Sequence, residues 1–264
     1  MNNADPCQNR LFDRQGDRSL TPGSTLFCDF DGPIVDVSDR YYSTYKLGLD
    51  DIQAMYQEKG VTLPIRVLSK KQFWLMKQNC MGDVRIAHWS GLKDEQVDIF
   101  INQVKRIVNQ PAMLHRDRLQ PDLQSVFALL KRYHIRLVLV TLRHHIQVTQ
   151  FLQANGLAET VDQIYGASDI DAAYRNRTEH KAHLLTTAIA EQQQQGFDTN
   201  NAWMVGDTEA DIIAGKRSGL QTIGLTCGVR SNTYLQTLRP TQIHPDLLSA
   251  VQKLLFGRRT LRIA

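Results

Sequence analysis

The chain has 264 residues, 42% hydrophobic and 22% charged, with 31 Lys and Arg against 27 Asp and Glu for a formal net charge of +4. That is the make-up of a globular protein large enough for a full α/β core and a smaller second unit. The slight cationic excess is dispersed rather than interleaved with aromatics, and no run of about 20 apolar residues occurs, so neither a nucleic-acid partner nor a membrane span is expected.

Residues 1–23 are polar, lack the apolar run of a signal peptide and read as a disordered tail. Leu26-Phe27-Cys28 then reads as the end of an apolar strand delivering Asp29-Phe30-Asp31-Gly32. Two carboxylates at this spacing can divide nucleophilic and acid/base work, although the same residues taken alone also make an ordinary polar turn. Gly32-Pro33 implies that the second carboxylate leaves the strand as the loop begins. Cysteines at 7, 28, 80 and 227 have no metal-ligand spacing and fit free thiols in a reducing cytosol, which makes a cytoplasmic location the expectation; Cys28 reads as a packed small side chain.

About a hundred residues separate this strand from the next strand end, too many for one crossover connection. Residues 41–59, 70–80 and 94–108 carry helical patterns without β-rich runs, so an inserted helical unit is expected over 38–114. Within it Lys70, Lys71 and Lys77 read as solvated surface, and Trp74 and Trp89 as packing residues. Arg85 is a substrate-binding candidate, because a guanidinium clamps carboxylate or phosphate bidentately.

Downstream, Gln120-Pro121-Asp122 opens a helix through Lys131, residues 136–141 form a β-branched strand ending in Thr141, with Arg143 just beyond, and residues 145–155 form a helix closed by Gly156. The adjacent His144 and His145 diverge on a helix and read as surface or helix-terminal groups. Lys181 lies where another helix starts; residues 192–195 are a glutamine run at a helix end. Residues 202–207 form a third apolar strand delivering Asp207, with Asp211 one helical turn on. An open parallel sheet would gather such groups in the crevice at the carboxyl edge of its strands.

Asp29-Phe30-Asp31-Gly32, Thr141, Lys181 and Gly206-Asp207-Thr208-Glu209-Ala210-Asp211 resemble, in type and order, the four motifs of the haloacid dehalogenase-like hydrolase superfamily, over about Ser24 to about Leu255. The resemblance implies an α/β fold: a Rossmann-like doubly wound parallel sheet from residues 24–37 and 115–264, with a C1-type helical cap at 38–114. It implies that Asp29 attacks phosphorus to form an aspartyl-phosphate, that Asp31 is the acid/base, and that Thr141 and Lys181 hold the phosphoryl oxygens with Arg143 near the phosphate. The metal set would be Asp29, the backbone carbonyl of Asp31, Asp207 and, through water or by orienting a neighbour, Asp211, with Mg2+ suited to these oxygens. Asp31 is the residue that dehalogenase members lack and phosphatases and phosphomutases carry; Pro33 departs from the usual Thr or Val and leaves the course of the turn open. The activity so implied is a Mg2+-dependent phosphatase acting on a small phosphorylated metabolite, phosphoglycolate-like or a sugar phosphate. The alternatives are a phosphomutase of the β-phosphoglucomutase kind and, disfavoured because Asp29, Asp31, Lys181 and Asp207 are all present, a non-catalytic binding module. Neither the substrate nor the oligomeric state follows from the sequence.

Overall fold

A computed structural model describes residues 19–257; the expected tail over 1–18 and residues 258–264 lie outside the described residues. The chain enters the fold earlier than position 24, because Leu20 is buried in the sheet's core and its N–H donates to Leu254 O at 3.0 Å.

The first strand, β1 (Ser24–Cys28), is followed by the two-residue strand β2 (Val35–Asp36) and a run of helices: α1 (Ser38–Gln57), α2 (Lys70–Gln78), α3 (Asp83–Trp89), α4 (Glu95–Val108) and α5 (Pro111–Leu114). The chain returns through β3 (Arg118–Leu119), antiparallel to β2. Next come α6 (Leu123–Arg132), β4 (Arg136–His144), α7 (His145–Ala154), β5 (Gln163–Ala167), α8 (Ala172–Arg175) and α9 (Thr178–Gln194). The last part holds β6 (Asp198–Gly206), α10 (Glu209–Arg217), β7 (Gln221–Leu225), α11 (Asn232–Thr237), β8 (Gln242–His244) and α12 (Leu247–Phe256). Six strands form one sheet in the order β5-β4-β1-β6-β7-β8, every neighbouring pair parallel.

Strand alternation divides the core between two faces. Leu26, Cys28, Leu137, Leu139, Trp203 and Val205 pack against α6, α7 and α12, whereas Phe27, Val138, Val140 and Met204 pack against α9 and α10. Each large apolar side chain removed from water there contributes about 1.5–3 kcal/mol. Cys28 is fully buried, and burial pushes its thiol well above the ordinary cysteine range. The glutamine run is structural at its first member: buried Gln192 donates to Gln163 Oε1 at 2.8 Å and accepts from Arg136 Nε at 2.5 Å.

The helices between β2 and β3 have a core of their own, with Tyr45, Leu49 and Ile52 of α1 against Phe73 of α2, Ile86 of α3 and Phe100 and Val104 of α4. Acidic Glu95 and Asp98 in the first turn of α4 and basic Lys105 and Arg106 in its last complement the helix dipole. A capping box at Ser69 and Gln72 starts α2. Neither α3 nor α5 is foreseen from periodicity, being too short to show it. Trp89, expected to pack, is 58% exposed on α3. The turn at Pro33 closes normally: Gly32 takes φ +95°, its N–H donates to Val35 O at 2.8 Å, and the Ile34 N–H donates to Phe30 O at 3.1 Å.

Candidate functional site

Strand order reverses direction at β1, which lies between β4 and β6, and the carboxyl ends of these three strands form the crevice. Asp29 follows β1 directly, and its backbone N–H donates to Val205 O of β6 at 2.8 Å. Its Oδ1 accepts from the Phe30 N–H at 2.7 Å and lies 2.7 Å from Lys181 Nζ. Lys181, from α9, is 1% exposed and also lies 2.7 Å from Asp211 Oδ1. Asp211 Oδ2 accepts from Thr208 N and Oγ1 at 3.0 and 2.8 Å, so one carboxylate both caps α10 and orients the lysine. Asp207 follows β6, and its Oδ2 accepts from the Val229 N–H. Thr141, buried on β4, accepts from the Arg143 N–H at 3.1 Å and lines the same cavity as Asp29, Lys181 and Asp207.

Burial, with the neighbouring charge of Asp211 added, raises the Asp29 carboxyl to about 7, and burial with Asp211 and Asp29 raises Asp207 well above the ordinary carboxylate range. Burial alone would lower Lys181, but Asp211 and Asp29 outweigh it and hold its ammonium charged. One carboxylate oxygen from each of Asp29, Asp207 and Asp211 lies within 4.8 Å of the others. Asp207 Oδ1 is buried without a hydrogen-bond partner. Three buried acids, two of them paired with one lysine and the third with an orphaned oxygen, fit a hard divalent cation. Gly228 presses its backbone onto Asp207 so closely that a Cβ there would overlap the carboxylate.

A carboxyl whose pKa is raised on folding contributes stability that is complete below its unfolded value and lost as pH rises through the folded one. Chelator-treated protein should therefore lose stability from about pH 4 to about pH 7 through Asp29, raised to about 7. Melting temperatures of wild type and Asp29→Asn measured across that window should converge toward its acid end. A constant difference would contradict the buried-acid account.

The side chain of Asp31 stands apart from that cluster. Arg40 Nη2 lies 3.0 Å from its Oδ2 and Arg143 Nε 3.4 Å from its Oδ1. The same two arginines grip Asp117, Arg40 Nε at 2.8 Å from Oδ1 and Arg143 Nη2 against Oδ2. The four side chains close a ring of alternating charge: Arg40 from the start of α1, Asp117 from the return to β3, Arg143 from the end of β4, and Asp31 between them. Arg143 therefore lines the cavity but spends its guanidinium on two carboxylates. Since Arg40 and Asp117 have almost no solvent exposure, Arg40→Met should leave uncompensated buried charge and cost about 3–5 kcal/mol of stability. Urea denaturation tests this, and a loss below about 1 kcal/mol would contradict a tightly coupled ring.

Arg85 is a correction. It is exposed on α3 and does not line the cavity, whereas Asp83 does. Two residues turn a helix by about 200°, so the helix that presents Asp83 inward carries Arg85 outward. Lys77 is a second correction, because it lines the cavity with its Nζ 2.9 Å from Asp83 Oδ1. The remaining wall comes from residues that sequence patterns do not flag. The Tyr174 hydroxyl donates to Asp83 Oδ2 at 3.0 Å, and Arg230 pairs with Glu209 at 2.7 Å while donating to Lys77 O at 3.0 Å. Together with Ser231 N–H to Gln78 O at 2.9 Å, these bonds hold α2 and α3 down over the strand ends.

Residues 26–225 match the haloacid dehalogenase-like hydrolase family. Among curated proteins, the chain is 23% identical to a probable phosphatase, IndB, of Dickeya dadantii, over 84% of this chain and 89% of that protein. It is 32% identical to a phosphoglycolate phosphatase of Neisseria gonorrhoeae over 47% of this chain and 50% of that one. Among solved structures, a haloacid dehalogenase-like family hydrolase from Streptococcus pneumoniae superposes with a TM-score of 0.56 at 18% identity, over 86% of this chain and 96% of that one, which bears on the fold. With the family match spanning most of the chain and its four motif groups meeting in one crevice, the protein belongs to the haloacid dehalogenase-like hydrolases.

Proposed function

We propose that the protein is a Mg2+-dependent phosphatase that hydrolyses a small phosphorylated metabolite through an aspartyl-phosphate. The observation that carries this reading is the Asp29 carboxylate, fixed by Lys181 and the Phe30 N–H at the mouth of the strand crevice and adjoined by Asp207 and Asp211. Asp29 attacks phosphorus; as its oxygen bonds, the bond to the leaving alcohol breaks and Asp31 supplies the proton that alcohol needs. Asp31 then accepts a proton from the water that cleaves the acyl phosphate. Lys181 and Thr141 hold the phosphoryl oxygens, and Asp211 acts by orienting Lys181. Asp29, Asp207 and the Asp31 carbonyl would hold Mg2+, which would neutralise charge on the phosphate among these acids.

Phosphoglycolate and sugar phosphates are the first substrates to test, the former in keeping with the phosphoglycolate phosphatases among the relatives. Cys28, Cys80 and Cys227 are free thiols, in keeping with a reducing, cytoplasmic setting, and no helix among the described residues is long and apolar enough to cross a membrane. Phosphate release from a panel of phosphorylated metabolites, with Mg2+ and with chelator, tests the reading. Metal-dependent release supports it; an isomerised sugar phosphate without free phosphate would point instead to the phosphomutase.

A further inference from the structure

We propose that the alcohol half of the substrate carries an uncharged, ring-sized apolar group that seats against α1, α2 and α4, and that substrates with a second anionic end are poor. This inference rests on the phosphatase reading above and names the substrate class for that site.

The cavity over Asp29 measures about 940 Å³ with its open mouth included. Its apolar lining from α1, α2 and α4 includes Tyr45, Phe73, Phe100, Val104 and Val108, while Tyr41 lies among the charged groups, beside Arg40 and Lys77. The wall is rigid. Tyr45 stacks on Phe73 with centroids 4.9 Å apart and meets Phe100 edge-on at 6.2 Å. The Tyr45 hydroxyl is already used, bonding Ser90 Oγ at 2.8 Å and accepting from the Leu68 N–H at 2.9 Å, so the residue offers the cavity hydrocarbon rather than a polar tip. Tyr45, Phe73, Phe100, Val104 and Val108 are each only 1–7% exposed, so they turn narrow apolar faces to the cavity, and a two-carbon leaving group would leave those faces uncovered.

The charges point the same way. Every cation lining the cavity among the described residues is matched: Lys181 by Asp29 and Asp211, Arg143 by Asp31 and Asp117, Lys77 by Asp83, and Arg230 by Glu209. A carboxylate or second phosphate at the far end would have to displace Asp83 from Lys77 or stay unpaired in a partly desolvated site. Away from the acids and arginines, Thr44 adds a neutral polar handle. Thr44 lines the cavity, is 1% exposed, and its hydroxyl is buried without a hydrogen-bond partner. An oxygen or nitrogen on the ligand would satisfy that hydroxyl, so the group sought is a ring bearing a neutral heteroatom.

The test is kcat/KM for phosphate release in Mg2+ from benzyl phosphate, ethyl phosphate, phosphoglycolate and pyrophosphate, for wild type and Phe100→Leu. Benzyl phosphate should lead by about ten- to hundredfold, the gain expected for burying one ring. Phe100→Leu should shrink its lead over ethyl phosphate. If circular dichroism shows that variant to be unfolded, Val104→Thr replaces it, placing a hydroxyl in the wall at similar volume. Phosphate release with phosphoglycolate or pyrophosphate equal to or ahead of benzyl phosphate overturns the ring-pocket inference and leaves the phosphatase standing. Release from none of the four compounds and from no panel metabolite overturns both.

Discussion

Asp29→Asn should lower kcat for phosphate release by about four orders of magnitude or more while leaving the protein as stable as wild type, or more so, at pH 8. An amide cannot form the acyl phosphate, yet it matches the carboxylate in size and its oxygen can still accept from the Phe30 N–H and Lys181. Stability is preserved because Asp29 is buried beside Asp207 and Asp211, and its raised pKa of about 7 marks an ionised form the fold does not favour. Activity and stability should thus move in opposite directions, as they do where a site carries strain for function. A variant retaining more than about 1% of wild-type kcat, a loss far short of what removing a nucleophile costs, removes Asp29 from the nucleophile's place.

Gly228→Ala should weaken Mg2+ binding by about ten- to hundredfold, the range seen when groups supporting a metal ligand are disturbed. The backbone at Gly228 does not require glycine for its dihedral angles; the obstacle is the added methyl, which would occupy the space of the Asp207 carboxylate. To make room, Asp207 must move off its bond with the Val229 N–H, and a ligand is displaced without altering any charge. Gly82→Ala is the matching control, since a Cβ there meets nothing within 4 Å. Calorimetric titration of both variants with Mg2+ decides the matter; equal affinities would mean that the Gly228 loop gives way and Asp207 needs no backing.

What was legible in the sequence, and what was not, follows the range of the forces involved. Strands buried on both faces read as continuous apolar runs, so β1, β4 and β6 and the polar groups at their ends, Asp29, Thr141 and Asp207, are visible locally. Asp211 is visible one helical turn past Asp207, whereas Lys181 gains weight only through motif order, because it lies on a different helix from the acids it pairs with. The Arg40–Asp117 pair has no such signal. The two residues are 77 positions apart and meet only once the helical insertion has returned to the sheet. The aromatic wall fails for another reason, since Tyr45, Phe73 and Phe100 at helical spacing look like core, and they are core on one side and cavity on the other. Arg85 misleads because an arginine beside a glycine turn has the right chemistry, whereas helical phase decides which way it points.

The two-residue ribbon of β2 and β3 brings the beginning and end of the helical insertion side by side, with the Gln120 N–H donating to Ile34 O at 2.9 Å. In engineering language this is a socket: a module can be exchanged there with little disturbance to the sheet, because the ends it must join are already neighbours. The socket is also wired. Arg40 lies at the start of the insertion and Asp117 where the chain returns to β3, while Asp31 and Arg143 sit at the ends of β1 and β4. A transplanted cap that lacks this arginine and aspartate would plug in mechanically and leave Asp31 and Arg143 with only their own 3.4 Å contact, so compatibility between cap and frame is set by the ion pairs at the junction as much as by shape.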